Sequence, residues 1–357
     1  MAELNLSSAT TTNFSGTVPD FIVNSKRLDN ENASNEETYW YFETAPTYYG
    51  YYLTIPEIFS AANAMATWAF GAGWNVVSPD LRVQLEHVVG LGNQSFQKLI
   101  WQHEVIKLVV GDAFLEFKRD GNKIVNIIPI SPERVRIAFR KGMIERYEVW
   151  NGQEWKKVKK ENMLHSSNKR LADQFHGTSQ IEASKFIIDA RNEALSDERI
   201  IKHRDKALGI AYYEVDSASK ISFANTQIEN AVKNGEMLGL PKDTVKIEPY
   251  PSRSSEDRTA WIQYLENFFY QVFGVPRSIA TSDGTSEVGG KMGNVNFEPT
   301  YAMERYDMED DLWVQQNIEV VFEKQASLGG LVQQDQAKNT GQTNIQPNNV
   351  SATLERE

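Results

Sequence analysis

Few side chains in this sequence are spaced for chemistry. None of the 357 residues is cysteine, so disulfides and thiolate catalysis are excluded, and zinc would need His and carboxylate ligands alone. The five histidines, His87, His103, His165, His176 and His203, show no metal-binding spacing. His165 and His176 come nearest to a catalytic or metal pair, yet no Asp or Glu is placed to complete a known constellation. His103 falls on the apolar side of a helical pattern and reads as a satisfied core histidine. Acids crowd one stretch, with Glu304, Asp307, Glu309, Asp310, Asp311, Glu319 and Glu323 set against a single base, Arg305. Asp and Glu on one helix can hold a hard cation. A water-facing or lumen-facing acidic stripe is the preferred reading. Gly90-Leu91-Gly92 has neither the spacing nor the preceding strand of a dinucleotide site. There is no Walker-type loop, triad or deaminase signature. The sequence therefore assigns no catalytic residue, no metal site and no cofactor.

Charge and aromatic content bound the partners. The net charge is −11, which argues against tight, sequence-independent DNA binding through neutralised phosphates. It is compatible with a wall that lets DNA slide past, although from charge alone an ordinary acidic soluble protein is the preferred reading. Tyr39, Trp40, Tyr41, Phe42, Tyr48, Tyr49, Tyr51 and Tyr52 form an aromatic cluster suited to stacking or docking. No basic residue is interleaved with them, so an extended segment packed on the domain or a neighbour is favoured. Lys156, Lys157, Lys159 and Lys160, with Lys169 and Arg170, can contact phosphate, although a solvated hairpin face is the preferred reading. No apolar run approaches the ~20 residues that span a bilayer. No secretory signal opens the chain, so a cytoplasmic protein without membrane contact is expected.

These residues must be carried by an α+β chain. Hydrophobic residues make up 41% and charged residues 24%, enough for a packed core. Residues 1–38 are rich in Ser, Thr, Asn and Glu and read as a flexible arm. Helical periodicity marks 56–70 and 95–110, with Gly71 and Gly111 as stops. The period then falls to two, and strands at 113–118, 123–130, 134–139, 144–150 and 155–158 read as one antiparallel meander. A long helix over 179–208 is polar nearly all round and needs partners beyond its own domain. Its last turns carry Arg199, Lys202, Arg204 and Lys206, which suit a helix C-terminus. A β-α-β pattern follows, with strands at 210–215 and 243–249 and a helix at 225–238. A helix over 256–273 carries Trp261, Leu265, Phe268, Phe269 and Val272 in one broad apolar stripe. It ends at Phe273-Gly274-Val275-Pro276, where Pro276 disfavours helix at Val275. Residues 277–296 hold Gly284, Gly289, Gly290 and Gly293 and read as a mobile loop. A final helix starts near Pro299 and runs to Gly329-Gly330. The Gln- and Asn-rich remainder reads as a disordered tail.

Five fragments in order resemble the portal proteins of tailed double-stranded DNA viruses. They are Gly111-Asp112-Ala113-Phe114, Pro132-Glu133-Arg134-Val135, Glu161-Asn162-Met163-Leu164-His165, Gly177-Thr178-Ser179-Gln180-Ile181-Glu182-Ala183 and the FGVP hinge. Gln180 stands where the family usually has proline. The resemblance covers roughly residues 56–322. It implies a mixed α/β wing at 39–183, two stem helices at 184–208 and 256–276, and a β-α-β clip at 209–255. It further implies a channel loop at 277–298, a wing or crown helix at 299–326, and a disordered tail or reduced crown at 327–357. In the channel loop, Arg277, Asp283, Gly284, Glu287, Gly289, Gly290, Lys291, Gly293 and Asn294 would face DNA. The stripe on 256–273 would meet neighbouring copies, and the basic residues of 199–206 would form a belt. The family forms a ring, usually of twelve copies, at one capsid vertex of the virion. The ring is assembled in the host cytoplasm and passes double-stranded DNA without reading its sequence. The implied partners are the large terminase, adaptor or connector proteins and the major capsid protein. The competing readings are a carbohydrate-active hydrolase with paired carboxylates, for which the sequence places no two acids across a cleft, and a different scaffold with similar stem helices.

Overall fold

The computed structural model describes residues 37–325 apart from 142, 173, 206–209, 214–216, 235–244, 249–257 and 281–286. The expectations for the N-terminal arm and the Gln- and Asn-rich tail therefore lie outside the described residues, save that Thr38 is already strand. The chain begins with β1 (Thr38–Tyr41), α1 (Ala45–Thr54) and α2 (Pro56–Phe70). The aromatic cluster is extended only through β1. From Ala45 it is helical, because Pro46 sits in the first turn with its backbone angle preset for helix. Along α2, Ile58, Ala61, Ala62, Met65, Ala66, Ala69 and Phe70 are buried on one face. The alanines let other helices approach closely, while Ile58, Met65 and Phe70 each contribute about 1.5–3 kcal/mol of burial.

Next come β2 (Trp74–Val76), α3 (Pro79–Glu86) and α4 (Phe96–Val110). The expected apolar pattern missed α3, whose start is set by the Ser78 hydroxyl, accepting from the Leu81 amide, and by Pro79. Ser95 caps α4, and Gly111 ends it in the left-handed region at φ +100, where a side chain would be strained. The strands are β3 (Asp112–Asp120), β4 (Lys123–Ile130), β5 (Val135–Arg140), β6 (Met143–Trp150), β7 (Trp155–Val158) and β8 (Met163–Ser167). They do not form the single expected meander. One sheet has the order β4-β3-β8 and the other β1-β5-β6-β7. Between β4 and β5 a short 3-10 turn at Pro132–Arg134 removes the chain from the first ladder and starts the second.

The second half is mostly helical: α5 (Gln180–Asp205), β9 (Ile210–Tyr213), α6 (Ala218–Asn234), β10 (Val245–Glu248), α7 (Arg258–Phe273), α8 (Arg277–Ala280), α9 (Glu287–Gln316) and β11 (Val320–Phe322). α6 starts seven residues before the expected position, since Ser217 and its neighbours open the helix ahead of its apolar residues. β9 and β10 pair antiparallel. α9 departs most from expectation. It starts twelve residues before Pro299 and carries that proline inside the helix. It stops at Gln316, where Asn317 takes a left-handed φ of +57, well before Gly329. The chain then returns as β11 to pair with β2. One core runs through α2, α4, both main sheets, the end of α7 and the middle of α9.

Candidate functional site

The apolar stripe of α7 is two stripes. Leu265, Phe269, Tyr270 and Phe273 are buried within the chain, and Phe269 and Phe273 belong to its central core. Leu265 and Phe269 are therefore corrected from interface to interior. Val272 is half-buried. On the other side Trp261 and Tyr264 are exposed at 53% and 54%. Trp261 stacks on Tyr264 at 5.6 Å, and Tyr264 meets Phe268 edge-on at 5.0 Å. α7 packs along α5 and α2. The ion pair of Arg191 with Glu57 ties α5 to α2. Arg199 is exposed on α5. Lys202 and Arg204 lie in its last turns, and Lys206 falls outside the described residues.

The hinge after α7 is a closed cap. Gly274 is left-handed at φ +66. Its amide donates to the Gln271 carbonyl at 3.1 Å, and the Val275 amide donates to the Tyr270 carbonyl at 2.9 Å. This is a Schellman ending, and it fixes the direction in which the chain leaves. A Cβ on Gly274 would lie 3.1 Å from the Thr300 methyl group of α9. Pro276 then opens α8, whose Ile279 and Ala280 pack on the core.

Of the expected channel loop, Arg277 lies in α8, while Asp283 and Gly284 fall outside the described residues. Glu287, Gly289, Gly290, Lys291, Gly293 and Asn294 belong to the first turns of α9, which corrects their reading as loop. Each glycine costs such a helix about 1 kcal/mol relative to alanine. The helix is held farther on, where Phe297, Tyr301, Met308 and Leu312 are buried. Trp68 of α2 sits 6.0 Å from Phe297 and 5.7 Å from Tyr301. Anchored there, α9 propagates backwards through residues of low propensity.

Three sequence fragments meet behind this frame. His165 on β8 places Nε2 at 2.7 Å from Asp112 Oδ1 on β3. Its Nδ1 lies 3.1 Å from the Tyr147 hydroxyl of β6. The Gly177 amide donates to both Asp112 oxygens, at 2.8 and 3.0 Å. Gly177 has no room for a Cβ, which would meet the Gly111 carbonyl and lie 2.6 Å from the Asn168 amide nitrogen. Ser179 donates to the Val109 carbonyl and accepts from the Ile181 amide, starting α5. Asp112 is thus the acid that the histidine lacked in sequence, brought in by the β3–β8 register. Ser167 Oγ is also near His165 Nε2, at 3.2 Å. The set does not work as a nucleophilic triad. Asp112 and Ser167 share one nitrogen, whereas a triad needs opposite ones. The His165 and Asp112 side chains are 2% and 1% exposed, and Phe114 stacks over the imidazole at 4.5 Å. His176 lies elsewhere, stacked on Trp40 at 4.1 Å.

A buried ionic seam joins α4 to α9. Lys107 Nζ lies 2.9 Å from Glu104 and 2.7 Å from Glu304. Burial pushes the Glu104 carboxyl up to about 8, against the pull of Lys107. Burial also opposes ionisation of Glu304, yet Lys107 holds it below the usual carboxylate range. Lys107 is raised above the ordinary lysine value by the two acids, although burial works the other way. His103 beside it is driven down to about 3 by burial and by Lys107. It is not satisfied as expected, because among the described residues neither ring nitrogen has a hydrogen-bond partner. Burial also raises Asp307 and Asp311. No group of three or more His, Cys, Asp or Glu among the described residues is arranged to hold a metal.

The sequence matches no protein-family model and no curated protein sequence. Solved structures do match. A chain in the neck of a native GTA particle, computed with C12 symmetry, aligns with TM-score 0.65 and 14% identity over 88% of this chain and 93% of that one. A chain in the virion of a native gene transfer agent particle aligns with TM-score 0.64 and 13% identity over 86% and 91%. An HK97-family phage portal protein from Corynebacterium diphtheriae aligns with TM-score 0.51 and 13% identity over 79% and 95%. The chain has a portal fold. At these identities the likeness is one of fold, and it covers nearly the whole of each neighbour. Within the portal fold, the Schellman ending at Gly274 and the polar knot at Asp112 account physically for four of the five fragments on which the resemblance rested.

Proposed function

We propose that the chain is a portal subunit: one copy in a ring, usually of twelve, that conducts double-stranded DNA at a capsid vertex during packaging and ejection. The observation that carries this reading is the near-complete overlap with a chain in a particle neck computed with C12 symmetry. The ladder of exposed Trp261 and Tyr264 with half-buried Phe268 supports it. Such a surface on a solitary domain leaves apolar area in water, and an adjacent copy would cover it. In this reading α5 and α7 are the stem, and 209–255 is the clip that docks the large terminase and connector proteins. The span from Arg277 to Asn294 would approach the duplex, the major capsid protein would contact the wing, and the subunit itself would perform no catalysis.

Electron microscopy of the purified protein tests the reading. Rings with an axial hole are expected. Compact monomers at assembly concentrations would overturn it and reopen the hydrolase reading.

A further inference from the structure

The surface of the β1-β5-β6-β7 sheet is charged against the rest of the chain. From Arg134 to Lys160 there are nine basic residues and three acidic ones, a surplus of six positive charges in a protein of net charge −11. The sheet register gathers aromatic rings into the same patch. Arg136 lies opposite Tyr41, and its guanidinium sits 4.3 Å from the Tyr39 ring centre and 4.4 Å from that of Trp155. The basic residue missing between the aromatics in sequence is thus supplied by the neighbouring strand. Glu148 is buried between Arg136 and Arg146, pairing with them at 2.5 and 2.8 Å, and Glu37 pairs with Arg146. Glu145 lies 3.6 Å from Arg140 and 3.8 Å from Arg146, which leaves exposed Glu154 as the acid of that span with no ion pair among the described residues. Lys156, Lys157, Lys159 and Lys160 are all exposed, and among the described residues none of them forms an ion pair. They lie along the sheet's open edge, where β7 has a partner on one side only.

We infer that this edge and face bind the phosphate backbone of double-stranded DNA, separately from any channel contact. Charge complementarity selects the occupant. Four unpaired lysines along an edge strand and its exit make a line of point charges, and such contacts with phosphate carry no sequence preference. The fixed guanidinium and aromatic network behind them keeps the edge rigid. The inference rests on the conduit reading in one respect, the presence of a duplex near the assembled protein.

The test is fluorescence anisotropy of a short random-sequence duplex with the full-length protein at low salt. The variant Lys156→Glu, Lys157→Glu, Lys159→Glu and Lys160→Glu is compared with a charge-matched control, Lys98→Glu, Lys123→Glu, Lys220→Glu and Lys324→Glu, all at exposed positions. The patch variant should bind at least about tenfold more weakly and show a shallower salt dependence, while the control stays near wild type. A Gln version of the patch variant should fall between. Equal weakening in both Glu variants would overturn the inference in favour of net charge. Absence of binding by the wild-type protein would overturn it outright. Negative-stain images of the same preparations separate the two readings. Rings whose DNA affinity ignores the patch defeat this inference alone, whereas patch-dependent affinity without rings defeats the conduit alone.

Discussion

Glu104 is a carboxyl held in its neutral form by the fold, and that makes stability depend on pH. Its value of about 8 in the folded chain stands above the ordinary carboxylate value it regains on unfolding. Between the two, the folded state holds a proton that the unfolded state has released, so stability falls as pH rises through that window. His103 acts in the opposite sense. Lowered to about 3, it is neutral in the fold and charged when unfolded below its ordinary value, so stability rises with pH up to about 6.5. The two slopes offset each other between about 4.5 and 6.5. A decline from there to about pH 8 is left to Glu104, of roughly 1 kcal/mol per pH unit. Glu104→Gln should flatten the thermal midpoint from about pH 6.5 to 8 and leave the rise due to His103 uncompensated between about 4.5 and 6.5. A midpoint that still declines in the variant would assign the effect to another group. Gly177→Ala tests the neighbouring knot. Its Cβ would run into backbone atoms of Gly111 and Asn168, and a loss of about 1–3 kcal/mol in denaturant unfolding is expected. The role of Gly177 was hidden in sequence because the crowding comes from residues nine and sixty-six positions away. The same distance hid Asp112 from His165. A one-dimensional reading sees spacing along a chain, whereas β3–β8 pairing brings Asp112 to His165 and the segment after β8 folds back to set Gly177 against Gly111 and Asn168.

At the scale of elements, periodicity was informative wherever one face is buried by one neighbour. α2, α4, β3 through β7 and the end of α7 lie within a residue or two of their expected bounds. It failed where local and tertiary preferences conflict. The glycines of 289–293 argue for a loop and Pro299 for a helix start, and the anchoring of Phe297 and Tyr301 on Trp68 overrides both. It failed also where two faces overlap in one pattern. On α7, residues 261, 264 and 268 interleave with 265, 269 and 273, and apolarity alone cannot say which side meets the chain's own core. Substitution separates them. Phe269→Asp should unfold the subunit, because it places a charge where the side chain is 0% exposed. Trp261→Ser with Phe268→Ser should keep the circular dichroism and thermal midpoint of the subunit while lowering its oligomeric state in sedimentation. A wild-type sedimentation profile from the double variant would remove the ladder from the interface.

At the scale of the whole molecule, charge is sorted by position. The basic surplus sits on β5 to β7. α9 carries acids along its length, with Asp307 and Asp310 exposed. The span proposed to approach DNA is balanced, with Arg277 and Lys291 against Asp283 and Glu287. A surface that touches a moving duplex should not hold it, since every phosphate neutralised adds a salt-sensitive contact. Replacing both Asp283 and Glu287 by Lys would turn that balance into four positive charges per subunit, repeated around a ring. Rings should still form, because the described core lies elsewhere. DNA translocation in a packaging assay should slow, and it should slow more at low ionic strength, where screening reaches a longer distance. Added salt should restore the rate toward wild type. A variant that assembles and packages at the wild-type rate across salt concentrations would place the duplex out of reach of residues 283–287. The DNA-facing role would then fall to another part of the fold.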